Sequence, residues 1–153
     1  MLLFLDIDGV MVPAKNWKSP EVLNDGFPAF TSKATHALQR LIADGSTIVL
    51  TTSHKANFSI EQWKDIFSKR GIAITDLKAL PANAGNLSRK DEIVKWFSVN
   101  SNEMDFVIID DDTSLRDLPA KLKERLVLTS PLIGLTDRDR EAVDAIKKKL
   151  QIA

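Results

Sequence analysis

Residues 1–12 read MLLFLDIDGVMV. The first five side chains are all apolar, and Asp6, Asp8 and Gly9 follow at once. A continuous apolar run does not alternate between core and solvent. It suits a short strand covered on both faces, as in a parallel sheet. The segment therefore predicts a buried strand that ends by delivering two carboxylates and a glycine to one place.

The same pattern recurs along the chain. Apolar runs at Thr47–Leu50, Ile72–Ile74, Phe106–Ile109 and Leu126–Leu128 predict four further strands. Segments of helical period lie between them. TSKATHALQRLIADG (31–45) sets Ala34, Leu38, Leu41 and Ile42 on one stripe and stops at Gly45. SIEQWKDIFSKRG (59–71) has Ser59 and Gln62 at capping-box spacing and ends at Gly71. LSRKDEIVKWF (87–97) offers Ser88 as N-cap, and Pro119 is placed for the first turn of PAKLKERL (119–126). TDRDREAVDAIKKKL (136–150) carries acids first and lysines last, which matches the helix dipole. Trp63 and Trp96 fall on helical stripes and are expected in the core. Strands alternating with helices predict an α/β fold: a Rossmann-like three-layer α/β/α sandwich on a mainly parallel five-stranded sheet, as one domain over residues 1–153. The stretch 10–34 is the longest irregular one and reads as a flap.

The composition narrows the function. The chain has 153 residues, with 44% hydrophobic and 27% charged residues and a formal net charge of zero, so nothing global announces a nucleic acid or an anionic membrane. It has no cysteine, which excludes disulfides, zinc thiolate sites and thiol nucleophiles. The opening apolar run is too short and lacks the basic start of a signal peptide, and no stretch approaches the roughly 18 apolar residues of a membrane span. A cytoplasmic protein is expected.

In parallel sheets, ligands bind beyond the carboxyl ends of the strands. There the sequence places Asp6 and Asp8, then Thr51, Thr52 and Ser53 with His54 and Lys55, then Asp110, Asp111 and Asp112. Arg89 and Lys90 open the helix 87–97. Several carboxylates in one cleft repel one another unless a cation sits among them. A hard oxygen donor set without His or Cys suits Mg²⁺, which keeps waters and a substrate phosphate as its other ligands. Hydroxyls and a basic residue facing the metal suit a phosphate dianion. One carboxylate can then attack phosphorus while its neighbour handles the proton.

The order DxDG, a Thr/Ser strand end, Lys/Arg and an acidic pair resembles the haloacid dehalogenase (HAD) superfamily of phosphotransferases. More narrowly, FLDIDGV, IVLTTSHK, RKDEIVKWF, VIIDDD and GLT resemble the phosphatase-like domain of Swiss Army Knife RNA repair proteins. One departure is His54-Lys55, where that group favours Trp-Arg. The resemblance implies that Asp6 is the nucleophile that forms an aspartyl-phosphate. It implies that Asp8 protonates the leaving oxygen and then activates water. Gly9 lets the chain turn beside the phosphate, Thr51 donates its hydroxyl to a phosphoryl oxygen, and the Thr52 and Ser53 N–H groups lie nearby. Lys90 or Arg89 neutralises the charge: the apolar phase of Ile93, Val94 and Phe97 favours Lys90, and a phase anchored on Glu92, Ile93 and Trp96 favours Arg89. Mg²⁺ is implied on Asp6, the Asp8 carbonyl and an acid of Asp110–Asp111, with Asp111 favoured. Asp112 reads as a cap or turn acid.

The gaps 10–34 and 75–87 are too short for a cap domain, the latter being expected as a plain loop, so the site is expected to be open. An open site favours a phosphate on a large ligand, and Lys15, Trp17, Lys18 and Lys55 offer charge and stacking for an RNA or DNA end. Two other readings use the same fold: a receiver-like phosphoacceptor switch and a catalytically silent binding module.

Overall fold

The computed structural model describes residues 1–13, 21–102 and 105–152. Five strands form one wholly parallel sheet: β1 (Leu2–Leu5), β2 (Thr47–Leu50), β3 (Leu77–Ala79), β4 (Phe106–Asp110) and β5 (Leu126–Leu128). Their order is β3-β2-β1-β4-β5. The chain steps outward from β1 in one direction to β3 and then returns to the other side of β1 for β4 and β5. The order thus reverses between β1 and β4, which is where such sheets open a binding crevice.

The helices are α1 (Ser32–Ile42), α2 (Ile60–Ser68), α3 (Arg89–Val99), α4 (Ala120–Lys123) and α5 (Asp137–Ile152). Side chains alternate across the pleat, so each strand feeds two cores. Leu3, Leu5, Ile48, Leu50, Val107 and Ile109 pack with α1, α2 and α5 on one face. Phe4, Val49, Phe106 and Ile108 meet α3, α4 and Leu115 on the other. Trp63 is fully buried in the first core, and Trp96 packs edge-on against Phe4 at 5.1 Å in the second. This is the expected α/β/α sandwich, and among the described residues neither gap holds a cap domain. No helix is long and apolar enough to cross a membrane.

The N-caps agree with the sequence. The Thr31 hydroxyl accepts the Ala34 N–H at 3.1 Å, the Ser88 hydroxyl accepts from Asp91, and Ser59 with Gln62 forms a full capping box.

The third strand is a correction. Ile72–Ile74 is not a strand; β3 is Leu77–Ala79, inside the stretch expected to be a loop. Gly71, at φ 81°, ends α2, with the Ile72 N–H donating to Phe67 O and the Gly71 N–H to Ser68 O, both at 3.0 Å. This is the bond pattern of a Schellman end, whose following apolar residue packs back on the helix. Ile72 is fully buried for that reason. The apolar triplet caps a helix, and the edge strand is a three-residue piece with Lys78 turned to solvent, which blunts further strand pairing.

The flap is bolted down beyond residue 20. The Arg70 guanidinium grips both Asp25 oxygens at 2.7 and 3.0 Å and donates to the Phe27, Pro28 and Ile66 carbonyls. It also lies against the Phe27 and Phe30 rings.

Candidate active site

β1 and β4 end side by side, and the Asp6 N–H donates to Ile109 O at 3.1 Å. That pairing sets Asp6, Asp110 and Asp111 at one edge of the sheet. One carboxylate oxygen from each lies within 4.8 Å of the others. Asp6 and Asp110 are buried, at 4% and 0% exposure, and Asp111 is half-buried. Beyond Asp6 the chain turns back on itself, and the Ile7 carbonyl accepts the N–H groups of Val10, Met11 and Val12. Gly9 makes the turn at φ 83°, and a Cβ there would overlap the Asp111 carboxylate. Gly9 therefore supplies both a left-handed backbone and the space the acid occupies. The loop after β5 buttresses this turn. The Thr129 hydroxyl donates to Gly9 O at 2.6 Å, and the Leu135 N–H donates to Val10 O at 2.7 Å. At Gly134 a Cβ would come 2.6 Å from Val10 O.

Of the two candidate basic residues, Arg89 is the one that reaches the acids. Its Nη1 donates to Asp110 Oδ2 at 2.5 Å and to the Thr51 hydroxyl at 3.3 Å, and lies 3.5 Å from Asp6 Oδ1. Lys90 makes no such contact: its backbone N–H reaches the Ser114 hydroxyl at 3.4 Å, and its side chain pairs with no acid among the described residues. A cation in the first turn of α3 sits at the unfavourable end of the helix dipole, and the neighbouring acids offset that cost. Burial works against the Arg89 charge, but Asp110 and Asp6 outweigh it and hold the guanidinium protonated.

The electrostatics are unbalanced. Asp6, Asp110 and Asp111 face one guanidinium. Burial, and next the Asp110 charge, push the Asp6 carboxyl far above the usual carboxylate range. Burial also raises Asp111. A cation would relieve both. Octahedral Mg²⁺ holds oxygens at about 2.1 Å, so its ligands lie at most about 4.2 Å apart. The three carboxylates nearly meet that spacing, and the donor set is hard oxygen alone, so the residues fit the ion. Asp110 is already committed: Oδ1 accepts the Asp111 and Asp112 N–H groups at 2.8 and 3.0 Å, and Oδ2 takes Arg89 and the more distant Thr51 hydroxyl at 3.4 Å. Its lone pairs are used by the protein, which leaves Asp6 and Asp111 to face a metal.

Asp8, Ser53, Arg89 and Asp111 line an open cleft of about 380 Å³ with Asp6 at its base. Asp8 is 47% exposed, and the His54 Nε2 lies 2.9 Å from its Oδ2. Thr51 is buried, with its hydroxyl between Asp110 and Arg89, whereas Ser53 is the member of the trio that lines the cleft. Thr52 is also buried, and its hydroxyl accepts the His54 N–H at 3.2 Å. Asp112 caps the short 3₁₀ turn 113–117 through the Ser114 N–H, as its turn-former chemistry suggests.

The sequence signature of the HAD domain in Swiss Army Knife RNA repair proteins matches residues 2–140. The chain belongs to this family. Membership makes it a HAD-type hydrolase of the phosphatase class. Two solved structures share the HAD fold. One is a Vibrio cholerae protein named as a 3-deoxy-D-manno-octulosonate 8-phosphate phosphatase, at 17% identity and TM-score 0.50, covering 96% of this chain and 83% of that one. The other is a hypothetical protein from Xanthomonas campestris, at 14% identity and TM-score 0.51, covering 98% of this chain and 84% of that one. No curated protein sequence matches significantly.

Two contacts at this HAD site escape sequence reading. The His54–Asp8 pair joins residues 46 apart, and only the second residue of the Thr/Ser run having a histidine two places on hints at it. Lys55 was expected at the surface for a nucleic-acid end. It is instead buried, with its ammonium 2.8 Å from Glu92. Lys15, Trp17 and Lys18 lie outside the described residues.

Proposed function

We propose that this chain is a cytoplasmic, Mg²⁺-dependent phosphomonoester hydrolase that works through a phosphoryl group on Asp6 and accepts phosphorylated RNA or DNA ends. The observation that carries the reading is the pairing of a buried, Arg89-flanked Asp6 with a second acid, Asp8, at an open cleft.

An Asp6 oxygen attacks phosphorus, and the bond to the leaving oxygen breaks as Asp8 gives that oxygen its proton. Asp8 then takes a proton from water. The water oxygen bonds to phosphorus, the Asp6–phosphorus bond breaks, and phosphate leaves. Asp6, Asp111 and the Asp8 carbonyl, with Asp110 bracing behind, would hold Mg²⁺, which would supply charge neutralisation at the phosphoryl oxygens. The Arg89 charge opposes the burial that disfavours ionised Asp6, and the guanidinium faces the phosphoryl group. Gly9 keeps the backbone close, and Thr52 and Ser53 offer N–H groups to the phosphoryl oxygens. Thr51 contributes through Arg89 and Asp110 unless its hydroxyl rotates to the phosphate.

The nucleic-acid part of the proposal rests on the openness of the cleft and on the kind of protein the family is named for, because Lys55 is not available as a surface cation. The test is hydrolysis with Mg²⁺ of phosphorylated oligonucleotide ends, sugar phosphates and para-nitrophenyl phosphate, at low and high salt. Oligonucleotide ends should show the highest kcat/KM, and that preference should fall as salt rises. Equal, salt-independent values refute the nucleic-acid substrate. A stable phosphoryl-Asp6 without phosphate release would mark a receiver-like switch. No phosphorylation at all would mark a binding module.

A further inference from the structure

Arg89 is the one cation lining the cleft among the described residues, and acids flank it on two edges. Its Nη1 edge meets Asp110, Thr51 and Asp6. Its Nε lies 3.9 Å from Glu92 Oε1. The other Glu92 oxygen, Oε2, takes the Lys55 ammonium at 2.8 Å. All three side chains are nearly enclosed, at 3% exposure for Lys55, 10% for Glu92 and 11% for Arg89. Lys55 is fixed in turn. Its carbonyl accepts the indole N–H of the fully buried Trp63 at 3.2 Å, and its N–H donates to Thr52 O at 3.1 Å.

We propose that Glu92, held by Lys55, is a positioning residue that fixes the orientation of Arg89 toward Asp6. A guanidinium is planar, so carboxylates on two of its edges fix the plane as well as the position. Held by Asp110 alone, Arg89 can pivot about that bond. Glu92 removes the pivot from the first turn of the same helix, three residues on. Lys55 has a second effect. An unpaired Glu92 would add a negative charge beside a cleft that must admit a phosphate dianion; paired with Lys55, it steers Arg89 without adding net charge. The pair also ties the loop after β2 to the start of α3, so the Thr51–Ser53 strand end and Arg89 move as one unit. The role of Arg89 in turnover rests on the phosphatase reading; the tether itself is a matter of geometry.

The variant Lys55→Met, Glu92→Leu replaces a buried ion pair by apolar groups of similar size, a change that leaves stability nearly intact. Its Tm should stay near wild type while kcat on para-nitrophenyl phosphate with Mg²⁺ falls about tenfold or more, and KM changes less. In an Arg89→Lys background the same replacement should cost kcat nothing further, because the group it positions is gone. A second readout needs no turnover: the Arg89 Nε–H resonance should be sharp and protected from exchange in the wild type, and exchange-broadened in the variant. Wild-type kcat in the variant, an equal loss in the Arg89→Lys background, or an unchanged resonance would each overturn the proposal. If the wild type hydrolyses no phosphomonoester, the phosphatase reading fails, and the resonance alone decides the tether. If the apolar variant does not fold, Lys55→Gln, Glu92→Gln, a neutral pair of similar size that can still hydrogen-bond, gives the same readouts.

Discussion

Among the described residues there are two enclosed meetings of aspartate and arginine, and they behave in opposite ways. In the flap, Asp25 meets Arg70 one to one, and the rest of the guanidinium is satisfied by neutral carbonyls. The hydrogen bond from Arg70 lowers the Asp25 carboxyl to about 2. At the sheet edge, Asp6, Asp110 and Asp111 crowd one Arg89, and burial drives Asp6 the other way. The residue types are the same, and the stoichiometry differs. A balanced pair is an anchor that folding completes by itself. An unbalanced cluster is left short of a positive charge that only a ligand supplies, which is the mark of a functional site.

The largest effect should come from the unbalanced side. Asp6→Asn keeps the shape of the side chain and removes the proposed nucleophile, so kcat should fall by about 10⁴-fold or more. A rate above a tenth of wild type would remove Asp6 from that role. The same variant should be at least as thermostable as the wild type in EDTA at pH 8. A carboxyl whose folded pKa is raised favours the protonated native state, so its ionisation costs stability progressively as pH climbs above about 4. Mg²⁺ should reverse this in the wild type, raising Tm more at pH 8 than at pH 5, and Asp111→Ala should abolish the rise. Activity that survives excess EDTA would contradict the metal site.

The balanced side should fail differently. Asp25→Asn leaves a buried guanidinium without its counter-charge and should cost about 3 kcal/mol, or about 8 °C in Tm. Activity per folded molecule should stay within about threefold. The pH dependence has the opposite sign to that of Asp6. With its folded pKa lowered, Asp25 stabilises above its unfolded value of roughly 4, and the advantage over Asp25→Asn should vanish as pH falls toward 2. A constant difference across that window would mean the pair contributes by shape alone. The smallest effect belongs to Lys90. Lys90→Ala should change kcat less than about twofold, whereas Arg89→Lys, which loses the planar fork, should cost about a hundredfold. Reversed magnitudes would return the catalytic role to Lys90.

The unbalanced side was partly legible in the sequence, and the balanced side was not. The strands bearing Asp6, Thr51 and Asp110 were legible because doubly covered strands are apolar throughout and stop at polar residues. Ile72–Ile74 misled because a helix cap and a buried strand both ask for a short apolar run. Arg89 and Lys90 are adjacent at a helix start, and two apolar phases fit the residues that follow, so only the packed helix could choose between them. Lys55 with Glu92, His54 with Asp8, and Asp25 with Arg70 join residues 37, 46 and 45 positions apart. No local period encodes such pairs. They exist only once the sheet has brought its loops together, and for that reason Lys55 read as a surface charge.

The buttress from Thr129 and Leu135 to Gly9 and Val10 spans 120 residues at its first contact. Synthesis runs from the first strand onward, so the ribosome releases Asp6 and Asp8 long before their support. A nascent chain that has emerged only through β4 carries every acid of the cluster and the local bonds of the turn after Asp6, but not the outside support that pins it. Catalytic competence should therefore appear abruptly, when residues 129–135 clear the exit tunnel, and chains stalled just short of that point should have a sheet but no activity.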